Sequence, residues 1–317
     1  MTTLTVLQLN AWMSGTMVPD GINRIAQIIK GAAAEVVILC EVTTAATAAI
    51  TTALGSGWYS IGDDARNGIV ARWPVTQTDR SACHLRGTIS HPARPISVYS
   101  MHLEYTYYAP YLVRGYGGLS PRHPATAGYG WGPMPRPLLE AADLRDVNLL
   151  SGRPEWSDRI AAAMRTEADA GTLVIAGGDF NEPSDLDWTI EMMYLYEHRG
   201  VTKVWESAPL FRKRGFVDAY REKFPDPVAH PGLTWPASVA DAAIGTLTST
   251  PLADMRDRLD FIFHDPKQTA LADIQIIGPP QSVRHTVRVN DVDADDFMAP
   301  AAAWPSDHRG NLARFTY

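Results

Sequence analysis

The chain has 317 residues, of which 45% are hydrophobic and 20% charged, and its formal net charge is −7. These proportions are typical of a globular protein and exclude a disordered or collagen-like chain. No apolar run approaches the ~18 residues of a membrane-spanning helix. The net acidity argues against nonspecific duplex binding, which requires several phosphates to be neutralised by Lys or Arg.

The N-terminus and the cysteines indicate a cytoplasmic protein. Residues 1–7 lack the basic region and cleavage site of a secretory signal. The two cysteines, Cys40 and Cys83, are too few for a disulfide framework or a thiolate metal site. We therefore expect a reducing compartment and no membrane partner, whereas the oligomeric state stays open.

Hydrophobic periodicity predicts alternating strands and helices. Polar residues at strand ends extend from residue 10 to residue 308, and neither a repeat nor a linker is evident, so we predict one domain over 1–317. The predicted strands cover 4–10, 36–40, 68–72, 96–103, 173–176, 258–263 and 311–315, and the predicted helices cover 23–34, 45–54 and 154–170.

Two segments interrupt this alternation. Residues 104–151 combine many tyrosines with Gly and Pro, and a segment of this length without periodicity is typically a lid or disordered. Its aromatic content argues against disorder, which leaves a lid over a site or a segment packed against the sheet edge. The second insertion, about 283–303, contains Asp291, Asp293 and Asp295 but lacks the glycine and closing glutamate of a calcium loop. We interpret it as a solvated acidic loop near the same rim.

Polar side chains recur in, at or just after the apolar strands. Singly, such residues are usually turn residues, caps or hydrogen-bonded core groups. Together, their carboxylate and amide oxygens suit Mg²⁺ or Mn²⁺ rather than zinc, and a histidine beside acids has its protonated form stabilised. These are the components of metal-assisted phosphoester hydrolysis. The residues are Asn10, Glu41, His102, Asp179, Asn181, Asp260, Asp307 and His308.

The motifs that contain these residues are Leu-Asn-Ala-Trp at 9–12, Leu-Cys-Glu-Val at 39–42, Asn-Gly-Ile-Val-Ala-Arg-Trp-Pro at 67–74, Ser-Met-His-Leu at 100–103, Gly-Asp-Phe-Asn at 178–181, Leu-Thr-Trp at 233–235, Arg-Leu-Asp-Phe-Ile-Phe at 258–263 and Ser-Asp-His at 306–308. In these motifs and their order the chain resembles the endonuclease/exonuclease/phosphatase superfamily. The resemblance implies a four-layer α/β/β/α sandwich of two mixed β-sheets flanked by helices. It also implies a divalent-metal phosphoesterase with its site at one rim of the sandwich.

A metal site is part of what the resemblance implies. Glu41 matches the principal Mg²⁺ ligand, with Mn²⁺ as the alternative ion. Asn10 is expected close by, and Asp307 as a second or indirect ligand. The number of ions stays open.

The same resemblance implies the catalytic roles. Asp179 is expected to orient or deprotonate the attacking water, and Asn181 to donate to a phosphate oxygen. His308 matches a base or transition-state stabiliser that Asp260 orients. His102 matches a histidine that contacts the phosphate or the leaving group.

A structural alternative remains for one of these residues. Strand alternation would also allow Asp260 to form a buried salt bridge with Arg258.

The substrate is expected to be a small phosphorylated molecule, such as a sugar, polyol or head-group phosphate. Tyrosine rings and an arginine form a suitable pocket for such a ligand. The alternative is a nuclease acting on DNA or RNA, in which Trp235 lies beside a base or sugar. A catalytically silent binding module and a sphingomyelinase-like membrane enzyme are less favoured, because the acidic set is intact and no apolar hairpin is evident. The candidate substrate-binding residues are Tyr105, Tyr107, Tyr108, Tyr111, Arg114 and Trp235.

Overall fold

A computed structural model describes residues 2–64, 66–291, 295 and 297–317. Its strands, numbered in chain order, are β1 (Thr3–Asn10), β2 (Val36–Cys40), β3 (Tyr59–Gly62), β4 (Asn67–Ala71), β5 (Val75–Arg80), β6 (His84–Ile89), β7 (Ile96–His102), β8 (Leu173–Asp179), β9 (Val217–Asp218), β10 (Asp260–His264), β11 (Ala270–Ile277), β12 (Gln281–Arg284), β13 (Val287–Asn290), β14 (Phe297–Met298) and β15 (Gly310–Thr316). The α-helices are α1 (Gly21–Gly31), α2 (Thr44–Leu54), α3 (Ala109–Val113), α4 (Ala141–Leu150), α5 (Arg153–Asp169), α6 (Ser207–Lys213) and α7 (Ala219–Lys223).

Most strands belong to two mixed sheets. The first has the order β14-β11-β15-β1-β2-β4-β3 and the second the order β5-β6-β7-β8-β10-β9, while β12 and β13 form a separate hairpin. β1 and β2 run parallel, as do β7 and β8, and the pairs β1–β15 and β8–β10 run antiparallel. The predicted fold class, two mixed sheets flanked by helices, is confirmed. The single-domain assignment of 1–317 stays a prediction.

Side-chain alternation along the strands separates the layers. In β1, Leu4 and Val6 belong to the core between the sheets, whereas Leu7 and Leu9 pack with α1 and α2 on the outer face of the first sheet. A third cluster fills the space between the second sheet and α5 and α6. Because successive side chains of a strand face opposite ways, Gln8 and Asn10 continue the inward face of Leu4 and Val6.

The aromatic insertion, 104–151, packs against the body of the protein. It contains α3 and α4, joined by a run of turns. Tyr107 lies in one buried cluster with Trp188 and Trp205, and Tyr108 and Tyr111 lie in another with Met255 and Leu259. The segment thus buries most of its tyrosines, while one edge of it faces the pocket described below.

The acidic insertion, about 283–303, differs from the expectation of a solvated loop. Asp291 accepts hydrogen bonds from Arg256, Arg309 and Ser282. Asp295 accepts from the Tyr220 hydroxyl and from the backbone N–H of residue 232. Both carboxylates are buried, so the expectation is wrong for these two residues, whereas Asp293 lies outside the described residues.

Among the described residues, no helix combines the length and the apolar character that crossing a bilayer requires.

Candidate active site

Strand register brings the predicted catalytic residues to one rim of the sandwich. In the second sheet, His102 at the end of β7 pairs with Asp179 at the end of β8, and Asp179 pairs with Asp260 at the start of β10. In the first sheet, Asn10 at the end of β1 pairs with Cys40, the residue before Glu41. These side chains therefore come from adjacent strands of two facing sheets.

Asn10 connects the two sheets at this rim. Its Nδ2 donates to Glu41 Oε1 at 3.2 Å and to Asp179 Oδ2 at 3.0 Å, and its Oδ1 accepts from the backbone of Trp12 at 2.9 Å. Glu41 Oε2 accepts from the backbone N–H of Met13 at 3.0 Å. Glu41 has a φ of 52°, a left-handed conformation that non-glycine residues rarely adopt and that is often found at functional sites.

His102 lies between the two carboxylates. Its Nε2 is 3.5 Å from Glu41 Oε1 and 3.8 Å from Asp179 Oδ2, and ligand atoms of these three residues lie within 4.8 Å of one another. Asn181 completes this corner: its backbone N–H donates to Asp179 Oδ1 at 2.8 Å, and its Nδ2 donates to the carbonyl of residue 103 at 3.1 Å. Two carboxylates and an imidazole at this spacing can hold a metal ion.

His308 is oriented by Asp260. The distance from His308 Nδ1 to Asp260 Oδ2 is 2.8 Å, and since the carboxylate accepts, Nδ1 carries the proton and Nε2 faces Asp179 Oδ2 at 3.7 Å. Burial disfavours the charged imidazole and lowers the pKa of His308. The negative charges of Asp260 and Asp179 outweigh this effect and raise the pKa well above its ordinary value. Asp260 is fixed in turn by Gln8, whose Nε2 donates to Oδ1 at 2.7 Å.

The carboxylates differ in their electrostatics. Burial raises the pKa of Asp179, and the negative charge of Asp260 adds to that effect. Burial also disfavours the charged form of Glu41, but the hydrogen bond and charge of His102, together with His308, lower the pKa of Glu41 to about 2. Glu41 is thus ionised at neutral pH and available as an anionic ligand.

Asp307 supports the presence of a cation at this rim. Its Oδ2 accepts from Trp235 Nε1 at 3.4 Å, while its buried Oδ1 has no hydrogen-bond partner among the described residues. Burial, with the charges of Glu41 and Asp179, raises the pKa of Asp307 to about 7. A divalent cation would satisfy the orphaned oxygen and offset the repulsion among the carboxylates. The oxygens of Glu41, Asp179 and Asp307 are hard ligands of the kind that Mg²⁺ prefers. The residues therefore fit the ion.

A pocket of about 440 Å³ opens beside this cluster. Its lining includes Glu41, Asn181, Asp307 and His308. It also includes five aromatic residues, which we call the aromatic wall: Tyr105, Tyr108, Tyr111, Trp131 and Trp235.

The aromatic wall presents ring surfaces rather than hydroxyl groups at two of its tyrosines. The Tyr108 hydroxyl donates to Asp257 Oδ2 at 2.8 Å, and the Tyr111 hydroxyl points to Met255 Sδ at 3.6 Å, so both groups turn into the protein. The Tyr111 ring centroid lies 5.9 Å from that of Trp131 and 6.2 Å from that of Trp235. The wall is therefore largely apolar at its centre.

Two of the predicted substrate-binding residues lie away from the pocket. Arg114 is 2% exposed, and its guanidinium donates to both oxygens of Asp257 at 2.5 and 3.1 Å. Tyr107 is buried beside Trp188, and its hydroxyl accepts from Arg122 at 2.5 Å. For both residues the expectation of substrate contact is wrong, because the 104–151 insertion packs against the protein and turns their polar groups toward protein partners.

The salt-bridge alternative for Asp260 is also wrong. Arg258 donates to Asp187 and Asp218, with its Nη2 at 3.0 Å from Asp187 Oδ1 and 2.7 Å from Asp218 Oδ2. Asp260 pairs with His308 instead.

Sequence reasoning missed several residues of the site. Gln8 and Asn311 support Asp260, Asn311 through its Nδ2, which donates to Gln8 Oε1 at 3.1 Å. Gln8 could have been found from the sequence, because strand alternation places it on the inward face of β1 with Asn10. Arg66 and Trp131 line the pocket, and neither had a local signal because both lie in irregular segments.

Comparison with known proteins agrees with this geometry. The profile of the Endonuclease/Exonuclease/phosphatase family matches residues 7–308. The chain belongs to this family. It is also 26% identical over 267 residues to an uncharacterized protein of Caenorhabditis elegans, a match that covers 82% of this chain and 78% of the relative.

Solved structures share the fold. D. rerio TDP2, in complex with a single-strand DNA product, superposes with a TM-score of 0.54 at 14% identity and full coverage of both chains. A 3'-5' exonuclease from Neisseria meningitidis superposes with a TM-score of 0.51 at 15% identity, covering 99% of this chain and 100% of the exonuclease. At these identities the likeness shows the fold alone. Family membership makes the protein a phosphoesterase.

Proposed function

We propose that the protein is a Mg²⁺-dependent phosphoester hydrolase that acts on a small phosphorylated molecule. The observation that carries the proposal is the approach of Glu41 and Asp179, on different sheets, to a shared amide and a shared imidazole. Mn²⁺ is the alternative ion, since it accepts the same hard ligands. The orphaned Oδ1 of Asp307 supports a cation here.

Glu41 is the principal proposed ligand, with Asn10 and Asp179 adjacent and Asp307 lining the same pocket. When bound, a divalent cation stabilises the charge that develops on the phosphoryl and leaving oxygens. Asn10 holds the two carboxylates in place by donating to both, while backbone N–H groups of Met13 and Asn181 donate to their other oxygens.

His308, Asp260 and Asp179 are proposed to handle the attacking water. His308 donates a hydrogen bond from Nδ1 to Asp260 and presents Nε2 toward Asp179 Oδ2. A water that forms hydrogen bonds with both of these atoms would be oriented by them. Asn181 and His102, on the other side of Asp179, are proposed to donate hydrogen bonds to phosphoryl oxygens. The pH dependence of kcat in Asp179→Asn and His308→Ala distinguishes which of the two residues accepts the proton of the attacking water.

The pocket supports a small substrate. Its volume of about 440 Å³ lies within the ~300–1,000 Å³ usual for small-molecule sites. Arg66 is the only Lys or Arg among its described lining residues, whereas nucleic-acid binding requires several such contacts along the backbone. The competing function is a nuclease, which the aromatic wall favours because rings of this kind stack on bases.

Substrate comparison tests the proposal. Purified protein with Mg²⁺ and with chelator is assayed on bis(4-nitrophenyl) phosphate, sugar phosphates, plasmid and abasic oligonucleotide. We expect chelator-sensitive hydrolysis of small phosphoesters. Equal rates with chelator would refute metal dependence, and efficient nicking of DNA at low enzyme concentration would favour the nuclease.

Three variants test the site itself. Glu41→Ala, Asp179→Asn and His308→Ala are each expected to lower kcat by at least ~10². Asp169→Asn is the matched control, because Asp169 is an exposed acid at the end of α5, ten residues before Asp179. Wild-type turnover in all three site variants would remove the assignment.

A further inference from the structure

A second cavity adjoins the first at Glu41. We call it the α2 groove; it has a volume of about 480 Å³ and is lined mainly by the turn after β1, the segment 41–43 after β2, and Ala46 and Ala49 of α2. Met13, Glu41 and Arg66 line both cavities. Because Glu41 lines both cavities, the proposed metal ligand lies at their junction, where the backbone N–H of Met13 donates to it.

The α2 groove is built to receive an apolar group. Its walls include Ile22, Val42, Ala46 and Ala49, with Met13 and Thr16 at the turn. Among its described lining residues, the charged ones are Glu41 and Arg66, which also belong to the first pocket. The hydroxyls of Ser14, Thr16 and Thr43 also line the groove, but each already has a hydrogen bond to the backbone. An aliphatic chain loses water contact favourably along the apolar walls, whereas a sugar-like substituent gains less there.

The first pocket has a different chemical character. The accessible rings of its aromatic wall are those of Tyr105, Trp131 and Trp235, while the hydroxyls of the buried Tyr108 and Tyr111 turn toward Asp257 and Met255. Such ring surfaces pack well against a planar group, and the two hydroxyls that turn into the protein offer nothing to a polyol. The two cavities therefore suit two different organic groups.

The arrangement distinguishes a diester from a monoester. A phosphate monoester carries one organic group, and a diester carries two. We infer that the substrate is a phosphodiester, with a planar ring against the aromatic wall and an aliphatic group in the α2 groove. This inference rests on the proposed function. A diester also carries a single negative charge, which matches Arg66 as the guanidinium that both cavities share.

Hydrolysis of such a diester consumes one water. A bond forms between phosphorus and the water oxygen, and the bond from phosphorus to the aryl oxygen breaks. One hydrogen of the water ends on the released phenol and the other on the monoester product, so no further reactant is needed.

Three synthetic esters with one leaving group test the inference. They are 4-nitrophenyl hexyl phosphate, 4-nitrophenyl methyl phosphate and 4-nitrophenyl phosphate, and all release 4-nitrophenol. We expect kcat/KM to be at least about tenfold higher for the hexyl than for the methyl diester, because the extra methylenes enter the groove. We also expect both diesters to exceed the monoester.

A charge in the α2 groove supplies the second measurement. Ala49→Glu introduces a carboxylate among the groove's walls, and we expect the hexyl-to-methyl ratio of kcat/KM to fall toward one. Ala48→Glu is the matched control, since Ala48 is the preceding residue of the same helix, is also exposed, and does not line the groove. We expect that variant to keep the wild-type ratio.

The outcomes separate the inference from the proposed function. Chelator-sensitive hydrolysis that favours the monoester, or a hexyl-to-methyl ratio near one in the wild type, would overturn the inference and leave a phosphoester hydrolase. A fall in the ratio in both alanine variants would also overturn it, because the effect would then not belong to the groove. No hydrolysis of any ester with added Mg²⁺ would overturn the proposed function and the inference together.

Discussion

The pairing of Asp260 with His308 permits a sharp test, the substitution Asp260→Asn. Gln8 Nε2 donates to Asp260 Oδ1 at 2.7 Å, so the oxygen of the introduced carboxamide takes that position. Its NH₂ group then faces His308 Nδ1, which is 2.8 Å from the other oxygen in the wild type. A donor at this point requires Nδ1 to accept, and the neutral imidazole must then carry its proton on Nε2.

The expected loss follows from this geometry. A hydrogen bond to a charged group contributes about 1.5–3 kcal/mol, which corresponds to roughly 10- to 150-fold. At a pH where the imidazole is neutral, the wrong tautomer adds to this, because Nε2 then carries the proton and cannot accept one from water. We therefore expect kcat to fall by at least ~10², and the pKa of His308 to fall because Asp260, the first of the three carboxylates that raise it, is gone.

The assay is steady-state hydrolysis of the best substrate with Mg²⁺, measured across pH. Asp218→Asn is the control, since Asp218 is an equally buried acid on the neighbouring strand β9 but pairs with Arg258. That variant should lose stability and keep its kcat within about threefold when folded. A folded Asp260→Asn protein with wild-type kcat, or equal kcat losses in both variants, would refute the reasoning.

Three further predictions concern stability. Arg114→Leu leaves Asp257 buried and unpaired, so we expect the free energy of unfolding in urea to fall by about 3–5 kcal/mol; a change in KM with unchanged stability would contradict the structural role of Arg114. Burial and the charge of Arg114 lower the pKa of His198 well below its ordinary value, so the unfolded chain binds a proton that the folded chain does not. Stability should therefore fall as the pH drops below ~6.5, by up to about 1.4 kcal/mol per pH unit, and chemical denaturation of His198→Gln should show a shallower dependence. Finally, Mg²⁺ at 100 times its Kd should stabilise the wild type by about 2.7 kcal/mol, visible as a rise in Tm, and an equal rise in Glu41→Gln would contradict Glu41 as the principal ligand.

Much of the secondary structure was predictable because its signals are local. Val36–Cys40 is a continuous apolar run, and the predicted strand has the observed bounds. Strands β3, β5, β6, β9 and β11–β14 and helices α6 and α7 were not predicted; β5, for example, is mostly exposed and lacks apolar alternation, and β9 has two residues. Helices α3 and α4 were missed because a dense run of Gly, Pro and Tyr around them indicates turns, and packing against Trp188 and its neighbours overrides that signal.

The sequence by itself determined the rim of the site. Alternation along β1 and the ends of β2, β7 and β8 can be read locally, so Asn10, Glu41, His102 and Asp179 could be predicted to meet. The partner of a buried charge cannot be read in this way, because it depends on which distant segment lies opposite.

Only the tertiary structure decided between the predicted partner of Asp260, His308, and the alternative, Arg258, and only it showed that Arg114 binds Asp257 and that the groove beside α2 adjoins Glu41. Each of these contacts joins segments that are far apart in the chain, and their separation is set by the packing of layers and insertions rather than by any local pattern of residues.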